Sequence, residues 1–588
     1  MEKWYVAAKK ADFEKWARKF HVSPVVARIL RNRDLVTEEE VERFLHGKLE
    51  DCYPPWQLKD MDKAVELILQ AKEEGVFLRV IGDYDVDGIC SSYILTKGLE
   101  LLGAKVDTAI PHRIHDGYGL NDNLIQEAAE DGVGMIVTCD NGIAAEKQIA
   151  LAAQMGIRVV VTDHHEVPFA IKEDGSRMEL LPPALAVIDP KQEKCTYPFP
   201  SICGGVVAYK LVSALAERSG SKVLEEALEE FLELAALATV CDVMELRDEN
   251  RILVKEGLKR LKNTRNKGLE ALMEVNQLEP ARLNVYHLGF VIGPCLNATG
   301  RLDTARRALE LLGSRTKAEA MSAARELKEL NDSRKNLTAK GVEQAEAYIK
   351  EHQMVSDKVM VIFLPEVHES LAGIIAGRVR ERYHHPVFLL TRGEAGVKGS
   401  GRSVEGYHMY EAMTQVQQYF TKFGGHAMAA GLSMREEDIV PLRRALNENC
   451  RMTEEDFVPK VHIDVPLPLD YAGEQIAEEL ELLEPFGVGN PKPLFAQKEL
   501  TFLGGFLMGA NKSCARYRVR TPEGNVSQLV YFGDLKVFHS FLEEKYGPGS
   551  AEALYRGNTQ YQVSVVYQMG KNTFRGKTEI QYVMQYFC

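Results

Sequence analysis

The chain has 588 residues, 45% of them hydrophobic and 27% charged, with a formal net charge of −13. That length exceeds the ~250–300 residues at which a single hydrophobic core stops growing, so several domains are expected, and the composition excludes a disordered or fibrous chain. No apolar stretch reaches the ~18 residues of a membrane span, the start Met1–Tyr5 lacks the order of a secretory signal, and ten cysteines without a Cys-x-x-Cys pair argue against structural zinc and for a reducing cytoplasm.

Residues 1–50 read as helical and charged, with Thr37 and Glu40 spaced as a capping box. Cys52–Trp56 interrupts them, and a helix over Met61–Glu74 leads into a first strand, Phe77–Ile81. Strands and helices then alternate to about residue 190, the pattern of a parallel sheet. Asp87–Ile110 reads as helix then strand and Asn121–Glu130 as helix, with further strands at Met135–Cys139, Arg158–Thr162 and Ala184–Ile188. Residues 204–276 are helix-rich. An amphipathic helix over about Thr316–Glu351, ~50 Å long at 1.5 Å per residue, connects two halves, with Gly341 as a point of bending. A second α/β unit starts at Val359–Leu364 and holds two glycine-rich turns, Gly399–Ser403 and Gly424–Met428. From about residue 461 the pattern alternates as in a small all-β barrel.

Within that barrel, residues 501–588 carry ten Lys/Arg against six Asp/Glu, and fifteen Phe/Tyr. This local excess of cations and rings suits a single strand of nucleic acid, because stacking contributes ~1–3 kcal/mol per base without regard to sequence. Alternation turns many of the rings into the core, so the pattern alone does not select those that stack.

Three strands run directly into aspartate. Phe77–Ile81 meets Gly82-Asp83-Tyr84-Asp85-Val86-Asp87-Gly88, Met135–Cys139 meets Asp140-Asn141-Gly142, and Arg158–Thr162 meets Asp163-His164-His165. Carboxylates gathered at strand ends repel one another unless a cation neutralises them, and open α/β sheets hold ligands at those ends. In an extended loop, i and i+2 side chains share a face, so at least two of Asp83, Asp85 and Asp87 converge. A carboxylate set with one imidazole favours Mn²⁺ or Mg²⁺, and two such ions clamp a phosphoryl transfer. The first loop resembles a calcium loop superficially, but its twelfth position is Ile94, not Glu. His165, beside the ligand candidate His164, is placed either to contact the phosphate or to protonate the leaving oxygen.

These motifs are similar to those of the DHH phosphoesterase superfamily, and the chain resembles its bacterial single-strand-specific DNA exonucleases. Further segments carry the likeness: Pro111-His112-Arg113, Cys203–Ala208, Ala238–Val243, Gly293–Arg301, His368–Ile374, Gly399–Ser403, Gly424–Gly431 and Glu484–Pro491. The resemblance covers roughly residues 20–588. It implies a DHH domain over 51–276 with a parallel sheet, a connecting segment with the long helix over 277–356, a second α/β DHH-associated domain over 357–460 and an OB-fold barrel over 461–588, after the helical segment 1–50. It implies stepwise 5′→3′ release of mononucleotides in DNA recombination and repair. It makes Asp83, Asp85, Asp87, Asp140, His164 and Asp242 ligands of two divalent cations, Mn²⁺ or Mg²⁺, with His165 and Asp163 catalytic. Asp242, after an apolar helix, is found only through the resemblance.

The substrate residues it implies are Arg113, Asn297, Arg301, His368, Ser400, Arg402, Gly424, Gly425 and His426. Of these, Ser400, Arg402 and Arg301 are expected at the 5′-phosphate. The expected partners are single-stranded DNA, then single-strand-binding protein and a helicase, for a cytoplasmic monomer. One position departs from the pattern: Cys295 stands where the family's Gly-Pro-Arg-Leu-Asn-Ala segment has arginine. A smaller-substrate phosphodiesterase of the same superfamily would need the acids but not the barrel.

Overall fold

The computed structural model describes residues 2–111, 119–302, 305–393, 396–509, 511–557, 559–574 and 576–588, with the backbone alone at 301, 302 and 574. Two units separate: Cys52–Met244 with Leu253–Pro459, and Met1–Asp51 with Glu245–Ile252 and Lys460–Cys588.

The first lobe of the larger unit is a five-stranded sheet of β1 (Phe77–Ile81), β2 (Lys105–Ala109), β3 (Met135–Cys139), β4 (Arg158–Thr162) and β5 (Ala186–Ile188). All neighbours are parallel, in the order β2-β1-β3-β4-β5. β1, β3 and β4 are buried along almost their whole length, which is why they read as continuous apolar runs rather than alternating ones. The helices α1 (Val86–Leu102), α2 (Gly204–Ser219) and α3 (Lys222–Cys241) pack pairwise against one another. The order places a topological switch between β1 and β3, where open sheets of this order bind ligands.

Beyond them, α4 (Gly293–Leu302) and the long α5 (Lys317–Glu351) lead to the second lobe. Thr316 caps α5 with Glu319 in a capping box. α5 packs on α4 near its start and on α6 (Ala372–Tyr383) further along. Gly341 does not interrupt the helix, and a Cβ there would lie 2.4 Å from Ile375 Cδ1, so the glycine admits the second lobe against α5.

The second lobe's sheet runs in the order β9-β10-β8-β7-β6, with β6 (Met360–Phe363), β7 (Val387–Gly393), β8 (Gly396–Arg402), β9 (Phe420–Gly425) and β10 (Ala429–Met434). Only β6 and β7 are parallel. Of the two expected glycine turns, Gly424–Met428 does carry the reversal from β9 to β10, whereas Gly399–Ser403 is corrected. Gly399 and Gly401 lie inside β8, paired on both sides with β7 and β10. A Cβ would come within 2.4 Å of Leu390 Cδ2 at Gly399 and 2.3 Å of Met409 Sδ at Gly401. These glycines clear space for the core beneath the sheet, and their backbone groups serve the ladder.

The smaller unit corrects the helical reading of residues 1–50 in part. Lys3–Val6 is a strand paired in parallel with Lys460–Ile463, followed by helices Phe13–Phe20, Pro24–Asn32 and Glu38–His46, the last with the Thr37–Glu40 capping box. β11 (Phe495–Met508), β12 (Cys514–Arg520), β13 (Val526–Tyr531), β14 (Tyr561–Phe574) and β15 (Lys577–Phe587) close a barrel. It is not all-β, because helices Leu535–Tyr546 and Ser550–Arg556 separate β13 from β14. Phe495, Phe502, Tyr517, Phe538 and Tyr567 fill its core, whereas Phe506 and Phe532 are exposed. Arg251, buried in the same unit, donates to the carbonyls of Phe44, Leu482, Leu483, Glu484 and Pro485, and so ties residues 245–252 to it.

Candidate metal centre

Register brings the aspartate-bearing strand ends level. Ile81 pairs with Thr138, Cys139 with Thr162, and Thr162 with Ile188, so the residues that follow β1, β3 and β4 emerge side by side.

In the first loop Asp83 is buried. Asp85 caps α1, accepting from Gly88 N at 3.0 Å. Asp87 sits in the helix's first turn, where Oδ2 accepts from Gly204 N at 2.7 Å and Oδ1 from Gly205 N at 2.6 Å. The positive end of α2 thus holds this carboxylate. Side chains at 204 and 205 would collide: a Cβ at 204 lies 2.8 Å from Asp140 Cβ, and one at 205 lies 2.6 Å from Ala238 Cβ. Sequence reading matched Cys203–Ala208 to a family segment without giving it a role, although two glycines opening a helix are a signal for anion contact.

Asp140 adopts φ +59°, a left-handed conformation that turns its carboxylate back over the sheet at a cost of roughly 1 kcal/mol. Asn141 Nδ2 fixes that turn by donating to Cys139 O at 2.8 Å and Ile81 O at 3.1 Å. Asp140 Oδ1 lies 2.9 Å from His164 Nε2, Asp87 Oδ2 is 3.4 Å from the same nitrogen, and Asp242 Oδ2 3.8 Å. Asp242 ends α3, and the next residue, Val243, is exposed at φ +60°, a strained conformation for a β-branched side chain.

Asp163 is engaged differently. Its carboxylate accepts from Ile143 N at 2.9 Å, His164 N at 2.7 Å, His165 N at 3.2 Å and His165 Nδ1 at 2.7 Å. It orients His165 from behind.

Three overlapping groups result: Asp83–Asp85–Asp140, Asp87–His164–Asp242 and Asp140–His164–His165, with ligand atoms of each within 4.8 Å of one another. All six expected ligands are in these groups, and Asp140 and His164 each belong to two. The electrostatics show what the cluster lacks. Burial, then the charges of Asp87, Asp85, Asp83 and Asp242, push Asp140 well above the carboxylate range. Burial, then Asp87 and Asp85, push Asp242 up to about 8, and burial with Asp87 raises Asp85. Burial alone would raise Asp163, but the hydrogen bond and charge of His165 bring it below its usual value. Burial would lower His165, yet Asp163 lifts it to about 9. Carboxylates that cannot all ionise together, joined by an imidazole, fit hard divalent cations.

The substrate candidates fall into three groups. Ser400 and Arg402 meet at the first turn of α6, where a Cβ on Gly373 would lie 3.4 Å from Ser400 Oγ and 2.6 Å from Arg402 Nη2. His368 opens the turn before α6 and contacts Ser370 Oγ through Nδ1 at 2.7 Å. Gly424 and Gly425 end β9, an outer strand of its sheet, with His426 exposed beyond. Asn297 lies in α4 with a buried Oδ1. The side chain of Arg301 and all of Arg113 lie outside the described residues. Cys295 is buried against Asn331 Nδ2 at 3.4 Å and Asn276 Nδ2 at 3.7 Å, a packing role that leaves no cation at that position.

Comparison with known proteins follows the same division. The DHH family N-terminal domain matches residues 78–239, the DHHA1 domain 356–452 and the RecJ OB domain 463–586. The chain is 33% identical to the single-stranded-DNA-specific exonuclease RecJ of Bacillus subtilis over 96% of its own length and 68% of that relative's. It is 31% identical to the Haemophilus influenzae protein of that name over 96% of both chains. The crystal structure of RecJ from Thermus thermophilus with Mn²⁺ superposes with a TM-score of 0.78 at 27% identity, covering 100% of this chain and 79% of the other.

Proposed function

The chain belongs to the RecJ family of single-stranded-DNA-specific exonucleases, and on that premise we propose that it removes mononucleotides stepwise from the 5′ end of single-stranded DNA at the centre where β1, β3 and β4 end. One observation carries the reading: six expected ligand side chains, from four separate stretches of chain, form overlapping groups at the topological switch of the sheet. Asp83, Asp85 and Asp140 would hold one divalent cation, and Asp87, His164 and Asp242 a second, with Asp140 the carboxylate common to neighbouring groups. Mn²⁺ or Mg²⁺ bound there supplies charge neutralisation and a lowered pKa for water.

The chain's own residues do the rest. Gly204 and Gly205 hold Asp87 in a fixed rotamer through both oxygens. Asp163 orients His165 through Nδ1 and keeps it protonated, which leaves Nε2 to give a proton to the departing 3′ oxygen. Arg402 and Ser400 suit the terminal 5′-phosphate, because a guanidinium fork and a hydroxyl both donate to it. The barrel unit holds the trailing strand, with exposed Phe506 and the Tyr546–Tyr561 stack (ring centroids 4.4 Å apart) as candidate base platforms. A cytoplasmic monomer that works beside single-strand-binding protein and a helicase is part of the same proposal, tested by light scattering and co-purification.

Digestion of a 20-mer labelled at either end tests the reaction. The 5′ nucleotide should leave first, only with metal present, and a blunt duplex should resist. Activity confined to di- to pentanucleotides would overturn the reading in favour of a small-substrate phosphodiesterase.

A further inference from the structure

A cavity of about 480 Å³ lies in the first lobe where α1, β2 and α3 meet the helices Lys267–Val275 and Arg306–Leu312. Its volume falls within the ~300–1,000 Å³ of small-molecule sites, and none of the metal-centre residues lines it. Leu309, Leu312 and the ring of Tyr93 give it apolar surface. Thr96 Oγ1 and Thr108 Oγ1 meet there at 2.5 Å. Glu230 is fixed through one oxygen: Oε1 accepts from Tyr93 OH at 3.0 Å and from Asn266 Nδ2 at 2.9 Å. Asn266 is buried and held in turn by Leu312 O at 3.0 Å and Leu269 N at 3.1 Å. Among the described residues no donor reaches Glu230 Oε2.

Three cations line the same cavity without a carboxylate. Arg265 and Arg315 are exposed and make no ion pair among the described residues, and Lys267 Nζ donates to the Arg315 carbonyl instead. Neighbouring cations do pair: Arg260 with Glu229 and Glu256, Arg307 with Glu326, Lys317 with Glu274. In a chain with 85 acidic residues against 72 Lys and Arg, three unpaired cations around one cavity make a local field opposite to the overall charge. Arginine forks suit a phosphate. Inorganic phosphate alone would answer those cations but meet repulsion from Glu230, and a nucleoside alone would leave the cations unpaired. A ligand that joins a phosphate to a flat ring and a hydrogen-bond donor answers every part of the lining.

We propose that this cavity is a binding site for a nucleoside 5′-monophosphate, separate from the metal centre. Arg265 and Arg315 take the phosphate, Glu230 Oε2 accepts from the sugar or base, and the base lies against Leu309, Leu312 and Tyr93. α1 supplies Tyr93 and Thr96 to the cavity and Asp87 to the metal centre, so the ligand seats on a helix that also presents an expected metal ligand. The proposal stands apart from the exonuclease reading; where that reading holds, the ligand class is the one the reaction releases.

The test titrates the Mn²⁺-loaded full chain in a calorimeter with deoxyadenosine 5′-monophosphate, deoxyadenosine and inorganic phosphate. The nucleotide should bind, and each fragment should bind about tenfold or more weakly, because each leaves charged or polar groups of the cavity unanswered. Arg265→Ala combined with Arg315→Ala should weaken the nucleotide by about tenfold or more and leave the melting temperature of the free protein unchanged, both side chains being exposed. Asp140→Ala, outside the cavity, should keep the binding that the arginine pair removes. Nucleotide affinity that survives loss of both arginines but disappears in Asp140→Ala would place the ligand at the metal centre alone and overturn the proposal. Inorganic phosphate bound as tightly as the nucleotide would reduce the cavity to an anion patch and overturn it too, as would absence of nucleotide binding. Arginine-dependent nucleotide binding in a chain that leaves the 20-mer intact would support the cavity site while removing the exonuclease reading.

Discussion

The metal centre and the second lobe's sheet solve opposite problems with the same kind of backbone. At the centre, charged side chains are crowded together, and neighbouring N–H groups fix some of them: two on Asp87, three on Asp163. In the second lobe, side chains have been removed. Gly399 and Gly401 clear space for the core below, and Gly424 leaves bare backbone above. Over-determined charge marks a place where chemistry occurs, whereas an absent side chain marks either packing or ligand approach. Only the surroundings of each glycine tell which.

The comparison breaks most visibly if the charges prove dispensable. Asp140 is shared by two of the ligand groups, so Asp140→Ala should lower Mn²⁺-dependent cleavage by at least about 10³-fold while strand binding persists. Gel-shift and single-turnover measurements on the same preparation check this, and cleavage that survives would detach the reaction from the cluster.

A smaller effect is expected in the second lobe. Gly425 has φ +151°, and a Cβ would lie 2.4 Å from Ala429 O and 2.6 Å from Ala430 Cα. Backbone cannot give way as a flexible side chain can, so Gly425→Ala should destabilise the chain by about 1–3 kcal/mol, read as the midpoint of urea unfolding.

Protonation sharpens the contrast by a few degrees of melting temperature. Asp140, Asp85 and Asp242 have folded-state values above their unfolded ones, with Asp242 at about 8. Between roughly pH 4 and pH 8 the metal-stripped native state therefore binds more protons than the unfolded chain, and its stability falls as pH rises. His165, raised to about 9, acts in the same direction. Its stabilisation is complete below the unfolded value of ~6.5 and is lost as pH rises through 9. Mn²⁺ replaces those protons, so the gain in melting temperature on adding it should be larger at pH 8 than at pH 5.5. Scanning fluorimetry after chelation checks the sign, and an equal gain at both would contradict the raised carboxylates.

The sequence made the first lobe legible because its signals were local. Apolar runs gave the strands, and an aspartate after each marked the site. Asp242 was not legible this way, since a carboxylate after an apolar helix is an ordinary helix end until the fold brings it within 3.8 Å of His164. Asp163 was visible as part of the triplet, but its place behind His165 depends on the Ile143 amide 20 residues away. The second lobe was misread in detail because Gly-x-Gly suggests a turn from propensity alone, whereas pairing with β7 before it and β10 after it makes it a strand, and Leu390 and Met409 fill the space the glycines leave. Strand Lys3–Val6 was missed for the same reason, its partner lying more than 450 residues on.

The smallest effect separates the two uses of glycine at adjacent positions. Gly424 precedes the strained Gly425, yet a Cβ on it would meet nothing within 4 Å, and its backbone is not left-handed. It lies beside Lys422 and Phe423 on an outer strand, in a cavity of about 380 Å³. Gly424→Ala should then change stability by no more than about 0.5 kcal/mol. If the bare backbone there receives the strand, KM for the 20-mer should rise a few-fold with kcat and melting temperature unchanged. A KM equal to wild type would mean that the open face of β9 has no part in holding DNA, and Gly424 would join Gly399 and Gly401 as a residue of the sheet alone.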